Sequence, residues 1–296
     1  MWAIATLEGG KPALVVDGKL YPLAALAAAA GKAAPASNVD LFADWEKWKP
    51  VLAALGSSAA NGGIAPAAAK LSAPLIYPGK VLCAGANYYD HMAEMGFPGV
   101  KKEAQRLFFF FKPPRNAVVG PGATVTMPRG TKKYDWEIEL AAVIGKTARY
   151  VPVENALSHV AGYTVAIDLS ARDFNQAPDQ FYKFDWVAGK ATDTACPMGP
   201  WIVPAEALGD VQNVALKLSV NGTVKQDSST SQMIYSVAEQ IARASELMTL
   251  DPGDVVLTGT PAGVGVPKGT FLNPGDKIDA EIAGIGTLSV EIKPPL

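Results

Sequence analysis

Three carboxylates and one histidine–glutamate pair are the residues of this chain best suited to chemistry. Asp135, Glu137 and Glu139 alternate with Trp136, Ile138 and Leu140 at the head of the run Asp135–Gly145. In a strand, alternate side chains point to opposite faces, so the acids share one face and the apolar residues the other. A solvated strand face would account for that pattern by itself. Asp168 changes the reading, because it lies inside the apolar run Val165–Leu169. A buried carboxylate without a partner takes up a proton or needs a cation. Glu137, Glu139 and Asp168 together suit a hard divalent ion, which prefers oxygen ligands. His91 and Glu94 are three apart in Asn87–Gly96, so on a helix they meet on one face. There a carboxylate fixes the imidazole tautomer and raises its basicity for proton transfer. An exposed surface pair is the plainer alternative.

These residues need strands and one short helix to hold them. Lys80–Gly85 reads as a strand that feeds the His91 helix, and Gly96-Phe97-Pro98 ends that helix. Leu107–Phe111 reads as a buried strand stopped by Pro113-Pro114. Asp135–Gly145 reads as one continuous strand, Glu154–His159 as a short helix with His159 at its end, and Ser170–Gln176 as a polar loop. Pro197–Trp201 reads as a rigid turn. Asn221-Gly222 joins a hairpin. Ile234–Met248 predicts an amphipathic helix with Val237, Ile241, Ala244 and Leu247 inward, and two strands close the chain. Thr258–Gly265 is Gly-rich, but it lacks the spacing of a phosphate-binding loop and its strand–helix setting. Short strands, few helices and Gly/Pro turns predict a strand-dominated α+β fold, a sandwich or rolled sheet. Residues 1–76 are expected to form a small unit without chemistry. It has three short strands, a helix over Asp40–Leu55, and a Ser/Ala/Gly-rich linker over Ser57–Ala69. Residues 77–296 are expected to be the catalytic domain.

Of the 296 residues, 49% are hydrophobic and 18% charged, enough to bury a large core. A net charge of -2 without a basic block excludes a nucleic-acid footprint. The N-terminus lacks the pattern of a signal peptide, and the alanine-rich run Leu23–Ala30 is too short to span a bilayer. Cys83 and Cys196 sit in apolar surroundings and suggest no disulfide framework. A soluble, cytoplasmic protein is expected, without membrane or nucleic-acid partners.

Five ordered motifs carry a resemblance to the fumarylacetoacetate hydrolase family over about residues 78–292. Asn87-Tyr88 with His91 and Glu94 resembles its N-Y-x-x-H-x-x-E helix. Asp135–Gly145 is similar to its acidic strand. Asp168 with Ser170–Asp173 resembles its D-x-S-A-R-D segment. Gly189-Lys190, Asp193, Pro197, Gly199 and Pro200 resemble its G-K run, and Thr249–Gly265 its T-L-x-P-G-D block. The resemblance implies a β-roll fold, a homodimer, and Mg²⁺ or Mn²⁺ on Glu137, Glu139 and Asp168. It also implies water activation by His91 and Glu94 under a lid, with Lys190 catalytic. Tyr88, Arg172, Gln176 and Thr260 would then contact a small 2-keto acid. Asn175 stands where the family has Gln, so Gln176 takes that role only through a one-residue shift. The implied activity is metal-dependent hydrolysis of a C–C bond in a 2,4-diketo acid, of acylpyruvate or fumarylpyruvate type, in aromatic catabolism. Decarboxylation of an oxaloacetate-like acid and tautomerisation of a hydroxymuconate-like acid are the alternatives within the family. A metal-stabilised binding or scaffold protein is the alternative outside enzymology.

Overall fold

The apolar run Ile138–Ile144 lies inside the largest sheet, and all seven of its residues are buried. Val160–Ile167 pairs along one edge and Val255–Leu257 along the other, and both are buried throughout. The computed structural model describes residues 1–59 and 63–296. Among them the large sheet has eleven strands. Its main path runs Lys19–Pro22, Lys11–Val16, Trp2–Leu7, Cys196–Pro204, Val160–Ile167, Ile138–Ile144, Val255–Leu257, Val81–Gly85 and Phe108–Phe111. Neighbours on that path are antiparallel except Val81–Gly85 and Val255–Leu257, which run parallel. A five-stranded sheet packs beside it, in the order Thr223–Ser229, Ala215–Val220, Lys277–Ile282, Gly286–Lys293, Thr124–Thr126. This is the strand-dominated α+β architecture expected from the sequence.

Residues 1–76 continue the large sheet. Trp2–Leu7 pairs with Cys196–Pro204 at Ile4–Ile202. Trp45 packs against Gly145, where an added Cβ would lie 2.5 Å from the indole. The helix expected over Asp40–Leu55 is two helices, Asn38–Ala43 and Trp45–Ser58. The break at Asp44 lets Phe42 and Trp45 bury together, their rings stacked 5.2 Å apart. Of the expected linker Ser57–Ala69, residues 60–62 lie outside the described residues, and Pro66–Ala68 forms a 3₁₀ turn.

Four other expectations change in detail. Phe108–Phe111 is an edge strand rather than a buried one. Among the described residues it pairs only with Val81–Gly85, and Phe108 and Phe111 are 38% and 52% exposed. Pro197–Trp201 lies within the strand Cys196–Pro204 instead of forming a turn, because Met198 and Gly199 stay paired with Ala166 and Val165. Leu247 is exposed, since the helix Val237–Leu247 ends there and leaves the core. The helix expected over Glu154–His159 is a helical turn, Val153–Ala156, that tightens to 3₁₀ over Leu157–His159. The hairpin at Asn221-Gly222 holds, both residues taking the positive φ that its tight turn needs. No helix of the described residues is long and apolar enough to cross a membrane.

Candidate metal centre and active site

The acidic run is not one strand. Tyr134–Asp135 pairs with Ser170–Ala171 in a two-stranded ribbon, and the large sheet resumes at Ile138. Between them the Ile138 N–H donates to the Gln226 side chain at 2.9 Å instead of to a strand partner. Asp135 is thereby separated from the other two acids. It pairs with Arg172 at 2.9 Å and accepts the Gly265 N–H at 2.7 Å.

Glu137, Glu139 and Asp168 do converge. All three are buried, and one carboxylate oxygen from each lies within 4.8 Å of the others. The strand register explains this: Ile138 pairs with Ile167, so Glu137 and Asp168 leave the same end of adjacent strands. Lys190 Nζ bridges Glu137 and Asp168 at 2.8 and 2.7 Å. Arg172 reaches Glu137 at 2.5 Å. Lys112, which has no exposed side-chain surface, pairs with Asp168 at 2.8 Å. Its ammonium also donates to the carbonyls of Leu169 and Lys190 at 3.0 and 2.5 Å.

Four buried carboxylates thus face three cations. Glu139 alone of the four makes no ion pair among the described residues. It accepts the Gly259 N–H at 2.6 Å. Burial pushes the Glu139 carboxyl well above its ordinary value, and Asp168 and Glu137 push it further. Burial also acts on Glu137, but Lys190 and Arg172 outweigh it and hold that carboxyl well below the usual range. Burial disfavours the Lys190 charge, yet Asp168 and Glu137 keep the ammonium above its ordinary value. An all-oxygen donor set with one negative charge unmatched fits a hard divalent cation such as Mg²⁺ or Mn²⁺.

His91 faces the same space, with Glu94 behind it. His91 Nδ1 and Glu94 Oε1 are 2.8 Å apart on the helix Tyr89–Glu94, and both are largely buried. Asn87 pins the start of this helix. Its amide donates to the carbonyls of Tyr235 and Thr258 at 3.0 and 2.9 Å. Glu94 Oε2 accepts the Gly263 N–H at 2.8 Å. The Gly-rich loop therefore serves acids rather than phosphates, its backbone N–H groups ending on Glu139, Glu94 and Asp135. Gly263 is required there: its φ is +107°, and a Cβ would meet the Lys225 carbonyl at 2.1 Å.

A cavity of about 220 Å³ joins these groups, with His91, Glu137, Glu139, Asp168, Arg172, Lys190 and Thr260 along its polar side. Thr260 Oγ1 donates to the Ile138 carbonyl and accepts from Gln226, both at 2.8 Å. Two expected contacts are placed elsewhere. Tyr88 is fully buried beneath the helix and does not line the cavity. Gln176 is exposed and bridges Phe184, whereas Asn175 lines the cavity. The reason is local: Ser170–Gln176 is not a loop but a strand pair followed by the helical turn Arg172–Asn175, which turns Asn175 inward. Gly189 allows the close approach, since a Cβ there would sit 2.3 Å from that of Asn175. Sequence reasoning missed Lys112 and the aromatic residues Phe108, Phe110 and Trp186. A lone lysine between an aromatic run and Pro113-Pro114 was the available signal for the first.

Comparison with known proteins agrees with this geometry. Residues 80–293 match the family model described as Fumarylacetoacetate (FAA) hydrolase C-terminal. A mitochondrial oxaloacetate tautomerase of Bos taurus is 42% identical over 218 residues, 73% of this chain and 67% of that protein. The structure of fumarylpyruvate hydrolase from Pseudomonas aeruginosa, in complex with Mn²⁺ and pyruvate, is 38% identical. It superposes with a TM-score of 0.65 over 73% of this chain and 89% of its own. That of maleylpyruvate hydrolase from Sphingobium sp. SYK-6, with manganese(II) and pyruvate, is 29% identical, with a TM-score of 0.77 over all of both chains. With the family match spanning most of the chain and relatives above 30% identity across the same segment, this protein belongs to the fumarylacetoacetate hydrolase family.

Proposed function

We propose that the protein is a metal-dependent hydrolase that cleaves a C–C bond in a 2,4-diketo acid, releasing pyruvate or a substituted pyruvate and a carboxylic acid. The observation that carries this reading is His91, which lines the same cavity as the carboxylate triad and is held by Glu94 at 2.8 Å. Glu137, Glu139 and Asp168 would hold the Mg²⁺ or Mn²⁺. When bound, the cation supplies Lewis-acid polarisation of the 2-keto group.

The chain's own residues do the rest. With Nδ1–H donated to Glu94, His91 presents Nε2 as the basic nitrogen. It takes a proton from water, whose oxygen attacks the distal carbonyl carbon. The bond between that carbon and the adjacent methylene carbon breaks, its electron pair passes to the 2-keto oxygen as an enolate, and a proton returns to the methylene carbon. Lys190 has three N–H donors and spends two on Glu137 and Asp168. The third is free for the developing oxyanion, where a fixed positive charge in a water-poor site is most effective. Arg172 and Thr260 hold the polar end of the substrate, and Asn175 takes the place expected of Gln176. Residues 1–76 act as an appendage to the catalytic 77–296 portion, since the cavity is lined only by residues from the latter. The reading includes a cytoplasmic homodimer, to which the exposed Phe181, Tyr182 and Phe184 beside the site would contribute.

Tautomerisation is the second reading, favoured by the identity to the bovine oxaloacetate tautomerase. It needs proton transfer at the methylene carbon and no water attack. Turnover of acetylpyruvate with Mg²⁺ or Mn²⁺ tests the proposal. His91→Ala should lose cleavage by about 10²–10⁴-fold, the usual contribution of a general base. Metal affinity should stay unchanged, because His91 is not a ligand. Full activity in His91→Ala would refute the role.

A further inference from the structure

The cavity has two chemically distinct sides. One carries the carboxylates and their cations. The other is apolar, built from Met92, Met95, Phe97, Phe108, Phe110 and Trp186. Trp186 organises it, with ring centroids 5.0 Å from Phe110, stacked at 19°, and 5.5 Å from Phe108. Gly85 makes the wall possible, since a Cβ there would lie 2.1 Å from the Phe108 ring. The two sides meet at Lys190, whose Nζ is 5.2 Å from the Phe110 centroid.

Charge on the wall side decides what it can accept. Among the described residues lining the cavity, the lysines and arginines are Arg172 and Lys190, and each is already paired with two carboxylates. His91 is paired with Glu94. A second carboxylate on the substrate would therefore face aromatic rings and methionines, the one remaining Lys190 N–H being directed to the oxyanion, and would lose its hydration without compensation. A flat uncharged group would instead stack on Phe110 and Trp186.

From this we infer that the substrate's distal group is uncharged and apolar, an alkyl or aryl ketone rather than a second carboxylate, and that it lies against the wall of Phe108, Phe110 and Trp186. This rests on the 2-keto acid reading above, which fixes the other end of the substrate at the carboxylate side.

The test compares benzoylpyruvate with fumarylpyruvate, which carries a distal carboxylate. Affinity is measured calorimetrically in the presence of Mg²⁺ on the His91→Ala protein, and kcat/KM on the wild type. Benzoylpyruvate should be preferred by at least about tenfold, the equivalent of ~1.4 kcal/mol. Met95→Arg, which adds a cation at the end of the His91 helix, should shift the ratio toward fumarylpyruvate. Equal or tighter binding of fumarylpyruvate by the unmodified wall would overturn the inference, whether or not either compound is cleaved. So would a ratio that Met95→Arg leaves unchanged. Tighter binding of benzoylpyruvate without cleavage of either compound would support the inference and overturn hydrolysis. Binding of neither would overturn both.

Discussion

Lys112 is the most heavily buried cation of the site, and its removal gives the sharpest test of how the carboxylates are held. Its ammonium touches Asp168 at 2.8 Å and the carbonyls of Leu169 and Lys190. Lys112→Met keeps the side-chain volume and deletes the charge. Asp168 then loses one of its two cationic partners, and the carbonyls of Leu169 and Lys190 lose a donor. Breaking a buried pair by removing one partner costs ~3–5 kcal/mol, because the remaining charge stays buried. For a chain of this size that is a fall of about 6–10 °C in Tm, at roughly 2 °C per kcal/mol. Lys217→Met is the control. Its pair with Asp227 spans 3.4 Å, and the two side chains are 51% and 62% exposed. Such an exposed pair is worth ~0–1 kcal/mol in water. Urea unfolding of both variants, followed by tryptophan fluorescence in chelator, measures the difference. If Lys112→Met lost no more than Lys217→Met, ion pairing would not be what holds Asp168 in place.

Other outcomes follow from the same geometry. Glu139→Gln should weaken Mn²⁺ binding in equilibrium dialysis by more than the ~10–100-fold that outer-shell changes cost, since Glu139 is assigned as a ligand. Unchanged affinity would remove it from the site. Glu239 is held below its ordinary carboxyl value; burial opposes the shift, but Lys102 and the Ser236 cap outweigh it. A depressed folded pKa contributes stability above the unfolded value of 4.5, and that contribution is lost as pH falls below it. Glu239→Gln should therefore lose less stability than wild type as pH falls below the unfolded carboxyl value. Parallel acid limbs for the two proteins would contradict that sign.

Much of the site was legible in residue type and spacing. Glu137, Glu139 and Asp168 converge as expected because strand alternation and burial are local properties that survive folding. The His91–Glu94 pair forms because helical spacing alone brings the two together. Asp135 could not be placed in this way. The same alternation put it beside Glu137, but the chain changes sheets between Asp135 and Ile138, and that change depends on the distant Gln226 side chain. Lys112 was invisible for a related reason, since its partners lie 56 and more residues further along the chain. The Gly-rich loop lacked the spacing of a phosphate-binding loop. Its actual role became apparent only once Gly259, Gly263 and Gly265 were seen donating to three different acids. In the fold, strand positions were mostly legible from alternation. The edge position of Phe108–Phe111 was not, because edge and centre differ only in what pairs beside them.

The central claim is that water, activated by His91, enters the product. Acetylpyruvate turned over with Mg²⁺ in ¹⁸O-labelled water, with products followed by NMR and mass spectrometry, tests it directly. The account predicts pyruvate and acetate, with label in the acetate carboxylate beyond what carbonyl exchange in the substrate explains. Interconversion of keto and enol forms with no acetate released would contradict it and leave a tautomerase.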